Sequence, residues 1–202
     1  MKLFLLTCFA ITAIAITSYA QGISPITIGT AVPMSDVKMK DVSGKEVSLK
    51  DISTDKGLLV MFSCNTCPYV IKNQERTKEI MAYAKKMGFG VVIINSNEDY
   101  RSGDDSFEAM QAYAKEQGYE WNYVVDKDSK LANAFGATRT PETFLFDAKG
   151  SLVYHGAIDD NPSDAGNVKR NHLQEAINEL TSGKEISLKE SRSVGCSIKR
   201  KS

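Results

Sequence analysis

Two continuous apolar runs lie in the central part of the chain, at Leu58–Ser63 and Gly90–Asn95. Runs of this length without alternation are typical of parallel strands that are covered on both faces. Between them, helical spacing predicts one long helix from residue 64 or 65 to Met87, with Gly88 as its C-cap. The segment is therefore predicted to form a strand–helix–strand crossover.

In the rest of the chain, shorter apolar segments and capping residues predict strands that alternate with helices. The predicted elements are a hairpin at 37–40 and 46–49, a helix from Asp104 or Ser106 to Gly118, a strand at 123–125, a short helix at 129–135, an antiparallel hairpin of 143–146 with 152–154, and a last helix at 167–181. This order predicts an α/β fold with a central mixed β-sheet flanked by helices, an N-terminal β-hairpin extension and an inserted helix and strand.

The first 20 residues have the pattern of a secretory signal peptide. Lys2 precedes an apolar stretch at 3–16, and Ser18-Tyr19-Ala20 is a small-x-small sequence of the kind that precedes cleavage. An uncleaved anchor is disfavoured because the stretch is shorter than the roughly 20 residues of a spanning helix. Lipid attachment at Cys8 is disfavoured because that cysteine lies inside the apolar stretch. The prediction is a periplasmic or secreted protein without a stable membrane span after cleavage.

Cleavage would leave a nearly neutral chain with three cysteines. It would carry 24 Lys and Arg against 25 Asp and Glu, so the charge indicates neither a nucleic acid nor an anionic membrane as a partner. The remaining cysteines, Cys64, Cys67 and Cys196, are odd in number. At least one thiol is then free, transient or intermolecular.

Cys64-Asn65-Thr66-Cys67-Pro68 directly follows the first apolar run, and this spacing is typical of a redox-active dithiol. At a strand-to-helix junction both cysteines would lie in the first helical turn, where free backbone N–H groups and the helix dipole stabilise a thiolate. Cys64 would point outward as the nucleophile, and Cys67 could close an intramolecular disulfide with it. Pro68 fits there because the first turn leaves its missing N–H without a partner anyway.

Two segments, Phe62–Pro68 and Arg139–Gly150, together resemble the thioredoxin superfamily. The N-terminal hairpin, the loop at 95–103 and the inserted helix are similar to its exported TlpA- and ResA-like, AhpC/TSA-related redoxins. The resemblance implies a thioredoxin fold in which Pro141 is cis and faces the dithiol, a form that costs only about 0.5–1 kcal/mol for an X-Pro bond. Thr140 would then present its backbone to an extended substrate. The domains expected are a signal peptide at 1–20, a thioredoxin-like domain at 21–185 and a C-terminal tail at 186–202.

A narrower resemblance concerns the first cysteine motif and the C-terminal tail. Cys64–Tyr69 and Gly195–Lys199 are similar to bacterial redoxins with a Cys-Asn-x-Cys-Pro-Tyr motif and a Gly-Cys-x-Ile-Lys ending. Cys196 is thus a candidate third redox thiol, with Gly195 and Ser197 giving the tail freedom. The alternative is an inert buried cysteine or a free surface thiol.

The expected function is disulfide exchange with partner proteins, in which Cys64 forms the mixed disulfide and Cys67 resolves it. Because Asn65-Thr66 brings no positive charge, a reductant is favoured over a strong oxidant. The expected partners are protein thiols or disulfides and an upstream thiol electron donor, without nucleic acid, metal or cofactor. Candidate carboxylates for proton transfer at Cys67 are Asp126, Glu142 and Glu98, although each could simply be a solvated surface charge.

Three other functions remain open. A copper-binding metallochaperone would use two cysteines and a distant histidine, but neither His155 nor His172 has ligand spacing to the cysteines. A peroxiredoxin-like peroxidase would need a hydroxyl three residues before its cysteine, where this chain has Met61 and Cys64. In a structural or binding protein, the Cys64–Cys67 disulfide would be permanent.

Overall fold

A computed structural model describes residues 23–201. The predicted signal peptide at 1–20, with Cys8, lies outside the described residues. Among residues 23–201, no helix is both long enough and apolar enough to cross a membrane.

A five-stranded mixed sheet forms the centre of the molecule, with the strand order β5-β4-β3-β7-β8. The strands of the fold are β1 Met39–Lys40, β2 Glu46–Val47, β3 Leu58–Ser63, β4 Gly90–Asn95, β5 Asn122–Val125, β6 Arg139–Thr140, β7 Glu142–Phe146, β8 Leu152–Gly156 and β9 Cys196–Ser197. The helices are α1 Leu49–Ile52, α2 Pro68–Lys72, α3 Gln74–Lys86, α4 Phe107–Gln117, α5 Lys130–Phe135 and α6 His172–Thr181.

The two apolar runs are neighbouring parallel strands, as predicted, because Val60 pairs with Val92 in register. On its other side β3 pairs antiparallel with β7, and β7 pairs antiparallel with β8. All six residues of both β3 and β4 are buried. The predictions of a central mixed sheet, an N-terminal hairpin of β1 and β2, and an antiparallel hairpin of β7 and β8 are confirmed.

Successive side chains of β3 enter two separate cores, because strand residues alternate between the faces of a sheet. Leu59 and Met61 pack in the core covered by α3, α4 and α6, whereas Val60 and Phe62 pack in the core covered by α1 and α5. The carboxyl end of β3, where the cysteine motif begins, is thereby fixed from both faces.

The prediction of one continuous helix from residue 64 or 65 to Met87 is wrong in two places. The helix begins only at Pro68, with Cys67 at the N-cap, and it is interrupted at Asn73 between α2 and α3. The Asn73 amide donates to the carbonyl of Tyr69 and to that of Pro162, at 2.7 and 2.9 Å. A contact with a distant loop therefore sets the break.

The last helix also differs from its prediction. It begins at His172, and Ala165–Asn167 instead forms a separate 3-10 turn. The Asp164 carboxylate accepts a hydrogen bond from the Gly166 N–H at 2.9 Å and caps that turn. The predicted end of the helix, at Thr181, is confirmed.

A buried ion pair joins α3 to the loop that follows β8. Arg76 Nη1 lies 2.6 Å from Asp159 Oδ2, and the Asp159 side chain is 1% exposed. The same guanidinium also donates to the carbonyls of Asn161 and Pro162. The pair holds the start of α3 against the loop that also contacts Asn73.

We expect the substitution Asp159→Asn to lower the free energy of unfolding by about 3–5 kcal/mol, because it leaves the Arg76 guanidinium buried without its counter-charge. Chemical denaturation would measure the loss. The control Glu75→Gln removes an exposed pair with Lys78 and should cost no more than about 1 kcal/mol. Equal small losses in both variants would contradict this assignment.

Candidate active site

The loop between β3 and α2 carries the first two cysteines, and three hydrogen bonds through Asn65 hold it. The Asn65 N–H donates to Asp105 Oδ1 at 2.9 Å, and its side-chain amide donates to the Asp104 carbonyl at 2.7 Å. The Tyr123 hydroxyl donates to Asn65 Oδ1 at 2.7 Å. These contacts hold residues 64–66 in the loop that precedes α2.

Asp105 is the centre of this arrangement and is completely buried. Besides Asn65, its carboxylate accepts hydrogen bonds from the side-chain amides of Asn95 and Asn97, at 2.7 and 2.9 Å. Sequence reasoning missed Asp105, because it treated the neighbouring Asp104 and Ser106 only as helix caps. The polar Asn95-Ser96-Asn97 sequence at the end of an apolar strand was the one signal that a buried polar site lay there.

Cys64 is a free thiol that is 2% exposed, so the prediction that it points outward is wrong. Its Sγ lies 3.6 Å from the Thr140 hydroxyl oxygen. Burial raises the pKa of the Cys64 thiol, the Thr140 hydrogen bond lowers it, and the charge of Asp105 raises it further; burial is the largest of these causes. The neutral thiol of Cys64 is therefore favoured over its thiolate in this state.

The disulfide of the site joins Cys67 to Cys196, with their Cα atoms 6.1 Å apart. Cys67 Sγ also lies 3.4 Å from the Thr140 carbonyl oxygen. Cys64 and Cys67 belong to one buried cluster, and Cys196 packs against it. The structure thus brings all three cysteines of the sequence prediction together, while the bond present is not the one between Cys64 and Cys67.

Thr140 and Pro141 lie where the resemblance places them. The Thr140–Pro141 bond is cis, and Thr140 contacts both Cys64 and Cys67. The backbone of Thr140, which was expected to face an extended substrate, pairs with Cys196 of the chain's own tail.

The three carboxylates named from the sequence have other partners. Glu142 accepts hydrogen bonds from the Thr138 and Arg139 N–H groups and lies 2.7 Å from His155 Nε2. Glu98 pairs with Arg101. None of these contacts involves a cysteine.

Asp126 is buried beneath the start of α5. Its carboxylate accepts hydrogen bonds from the Ser96 hydroxyl and from the Leu131 and Ala132 N–H groups. Burial raises the pKa of Asp126, and these three hydrogen bonds oppose that shift. Its contacts cap α5 and do not reach a sulfur atom.

Neither histidine forms a metal site with the cysteines. His155 is bonded to Glu142, and His172 begins α6. Within the part of the chain that the structure describes, no group of three or more His, Cys, Asp or Glu side chains is arranged to hold a metal ion.

Comparison with known families decides the wider identity of this site. The sequence model of the Redoxin family matches residues 27–170, which is most of the chain and includes β3 through the loop after β8. The chain belongs to the Redoxin family. No curated protein matches it in sequence.

Two solved structures resemble this redoxin along nearly their whole length. A hypothetical protein from Sinorhizobium meliloti 1021 is 32% identical, with a TM-score of 0.80, and the match covers 89% of this chain and 97% of that one. An uncharacterised conserved protein from Geobacillus kaustophilus is 34% identical, with a TM-score of 0.77 and coverage of 87% and 93%.

A more distant match confirms the fold alone. The thioredoxin domain of a thiol-disulfide oxidoreductase from Bacteroides vulgatus is 21% identical, has a TM-score of 0.54, and covers 65% of this chain and 89% of that one. The thioredoxin fold expected from the sequence resemblance is therefore confirmed, and the family is one of redox enzymes.

We expect the alkylation rate of Cys64 to rise with pH along a curve whose midpoint lies above that of an ordinary cysteine, because its pKa is raised and only the thiolate reacts. The substitution Asp105→Asn removes a negative charge near the sulfur and should move the midpoint to lower pH. Iodoacetamide labelling of the Cys64 peptide, followed by mass spectrometry, measures both curves.

The matched control is Asp104→Asn, since Asp104 is exposed and contributes only its backbone carbonyl to the site. Its midpoint should equal that of the unmodified chain. An Asp105→Asn curve that coincides with the control curve would contradict the role given to the Asp105 charge.

Proposed function

We propose that this redoxin is a thiol–disulfide oxidoreductase that exchanges disulfides with partner proteins through Cys64, Cys67 and Cys196. The observation that carries the proposal is the packing of three cysteines in one cluster, with Cys64 free beside a Cys67–Cys196 disulfide. A thiolate attacks a disulfide sulfur through a mixed disulfide, so a free thiol beside a disulfide is the arrangement that exchange requires.

The steps balance as two-electron exchanges. A dithiol donor attacks the Cys67–Cys196 disulfide, leaves as a disulfide, and transfers two electrons and two protons to the cysteines. The reduced protein then attacks a partner disulfide through Cys64, releasing one partner thiol, and Cys67 displaces the second thiol by closing a Cys64–Cys67 bond. Attack by the Cys196 thiolate on Cys67 would then release Cys64 and restore the bond seen here.

Reduction of partners is favoured over strong oxidation by the surroundings of Cys64. A strong oxidant needs a stabilised thiolate in its reduced form, and the charge of Asp105, which lies on the loop beside the site, opposes a thiolate at Cys64. Asn65 and Thr66, between the two cysteines, bring no cation. A poorly stabilised thiolate favours the disulfide and makes the reduced protein an electron donor.

Export is the second part of the proposal. The sequence of residues 1–20 has the pattern of a cleaved signal peptide, and a disulfide such as Cys67–Cys196 persists in an oxidising compartment. We propose a periplasmic or secreted protein that begins at Gln21, with a thioredoxin-like domain at 21–185 and a tail at 186–202. The mass of the protein recovered from the producing cell tests the cleavage.

The alternative of a peroxidase is supported by one contact. The sequence lacks the hydroxyl expected before the cysteine, but the Thr140 hydroxyl lies 3.6 Å from Cys64 Sγ and could orient a peroxide. The two activities are distinguished by supplying hydrogen peroxide or a protein disulfide in separate reactions with the same dithiol donor. The substrate that is reduced faster identifies the activity.

We expect oxidation of the Cys196→Ser variant to produce a Cys64–Cys67 disulfide, because removal of the tail sulfur leaves those two as the remaining pair in the cluster. Peptide mapping without reduction would identify the bond. In the companion variant Cys64→Ser the Cys67–Cys196 bond should persist, while reduction of protein disulfides should fall at least about 100-fold, since the attacking thiol is gone. Cys64→Ser with full activity would contradict the assignment of the nucleophile.

The reduction potential tests the direction of electron flow. We expect a value closer to that of thioredoxin, about −270 mV, than to about −120 mV, the value of a strong oxidant. Equilibration of the full chain with dithiothreitol buffers gives the number. A disulfide that does not equilibrate with any dithiol would be structural, and the proposed function would fail.

A further inference from the structure

The C-terminal tail forms a strand at the edge where a partner would bind. β9 pairs antiparallel with β6, with Cys196 opposite Thr140 and Ser197 opposite Arg139. The next residue, Ile198, donates its N–H to the Thr138 carbonyl at 3.1 Å and buries its side chain in the core on the α5 side of the sheet. The tail thus fills this edge with backbone hydrogen bonds and one apolar anchor.

Gly195 allows the tail to approach this closely. A Cβ atom at this position would overlap the carbonyl oxygen of Thr140 and crowd Pro141 N at 3.3 Å. The sequence interpretation gave this glycine the role of tail freedom; the structure instead shows a close backbone contact that a larger residue would disturb. The residue before the bonded cysteine is therefore restricted in size by the site itself.

The tail also contacts the network that holds the Cys64 loop. The Lys199 N–H donates to Asn97 Oδ1 at 2.9 Å, and the Asp99 N–H donates to the Lys199 carbonyl at 2.9 Å. The same Asn97 donates through its amide nitrogen to Asp105. The position of the tail is thereby connected through Asn97 to the Asp105 carboxylate, which holds the Cys64 loop.

We propose that Gly195–Ile198 is an internal substitute for the partner, and that the partners of this redoxin are extended polypeptide segments with a glycine directly before the reacting cysteine. The inference rests on the proposed function. An extended segment added to a strand edge is recognised by its backbone, and the space beside each side chain sets its specificity. The edge of β6 offers that recognition, and the Thr140 carbonyl excludes a side chain before the cysteine.

Whether a partner segment can reach the edge of β6 depends on the redox state of Cys67 and Cys196. While Cys67 and Cys196 are bonded, the tail cannot leave the edge. Transfer of two electrons and two protons from a dithiol donor yields two thiols, after which only non-covalent contacts retain the tail. A partner segment can then displace β9 and bring its cysteine into the cluster that Cys196 has left, where Cys64 attacks the partner disulfide and releases one partner thiol.

The test uses the full-length Cys196→Ser chain, reduced, with two synthetic peptides whose cysteine carries a thionitrobenzoate group as a mixed disulfide. One contains Gly-Cys-Ser-Ile and the other Val-Cys-Ser-Ile. Attack by the Cys64 thiolate on the peptide sulfur forms a mixed disulfide between protein and peptide and releases the coloured thionitrobenzoate. We expect the glycine peptide to react about tenfold faster, because a side chain forced against backbone is destabilising.

A second comparison uses a substitution that displaces the tail and leaves Cys64 and Cys67 unchanged. In the same Cys196→Ser background, Gly195→Ala should unseat β9 and speed the reaction of the glycine peptide several-fold. The matched control Gly166→Ala adds the same methyl group on an exposed turn, where its nearest neighbour would be a side-chain oxygen at 3.4 Å, and should leave the rate unchanged.

The outcomes separate the two proposals. Equal rates for the two peptides, or no effect of Gly195→Ala, would overturn the inference, provided that the protein still reacts with the small disulfide dithiobis-nitrobenzoate. Failure of the reduced protein to react with that reagent as well would overturn the proposed function. Faster reaction of the glycine peptide together with its acceleration by Gly195→Ala supports the inference.

Discussion

The buried carboxylate of Asp105 is the contact on which the geometry of the site depends. It accepts hydrogen bonds from the backbone of Asn65 and from the amides of Asn95 and Asn97, and so joins the cysteine loop to the end of β4. Asn97 extends the network to Lys199 of the tail. A buried carboxylate is expensive unless its oxygens are bonded, so these donors and the loop positions that they fix are mutually dependent.

The same burial that orders the loop opposes ionisation of Cys64. A thiol enclosed by the cluster and near a carboxylate favours its neutral form, and the Thr140 hydrogen bond opposes this only in part. The state described here is thus one in which the Cys67–Cys196 disulfide is closed and the neutral form of the Cys64 thiol is favoured. Any motion that removes the tail from the edge of β6 would admit water, lessen the desolvation of the sulfur and favour its thiolate.

The elements that follow from local signals were predictable from the sequence, and those set by distant contacts were not. Helix α4 begins as predicted because the Ser106 side chain caps it by accepting a hydrogen bond from the Ala109 N–H, and it ends at Gly118, which has a left-handed backbone conformation. The break at Asn73 depends instead on Pro162, which lies 89 residues later. Local periodicity carries no information about such a partner.

The residues of the candidate site also divide into those that the sequence predicted and those that it did not. The short motif at the strand-to-helix junction and the resemblance of the segment around Pro141 predicted that Cys64, Cys67 and Thr140 lie together, and the structure brings these three residues into contact. The partner of Cys67 was not predictable, since Cys196 lies 129 residues away and spacing alone favours the cysteine three positions earlier. The buried position of Asp105 was not predictable, because an acidic residue beside the start of a helix is ordinarily a capping group.

Thr140 contacts all three cysteines, each through a different group. Its hydroxyl faces Cys64, its carbonyl oxygen lies beside Cys67, and its backbone pairs with Cys196. Three sulfur atoms can form only one disulfide at a time within the cluster, so one thiol always remains. Because one residue contacts all three cysteines, exchange of the disulfide within the cluster would take place around Thr140. Of the three cysteines, Cys196 is the one that lies on the tail, in a strand of two residues.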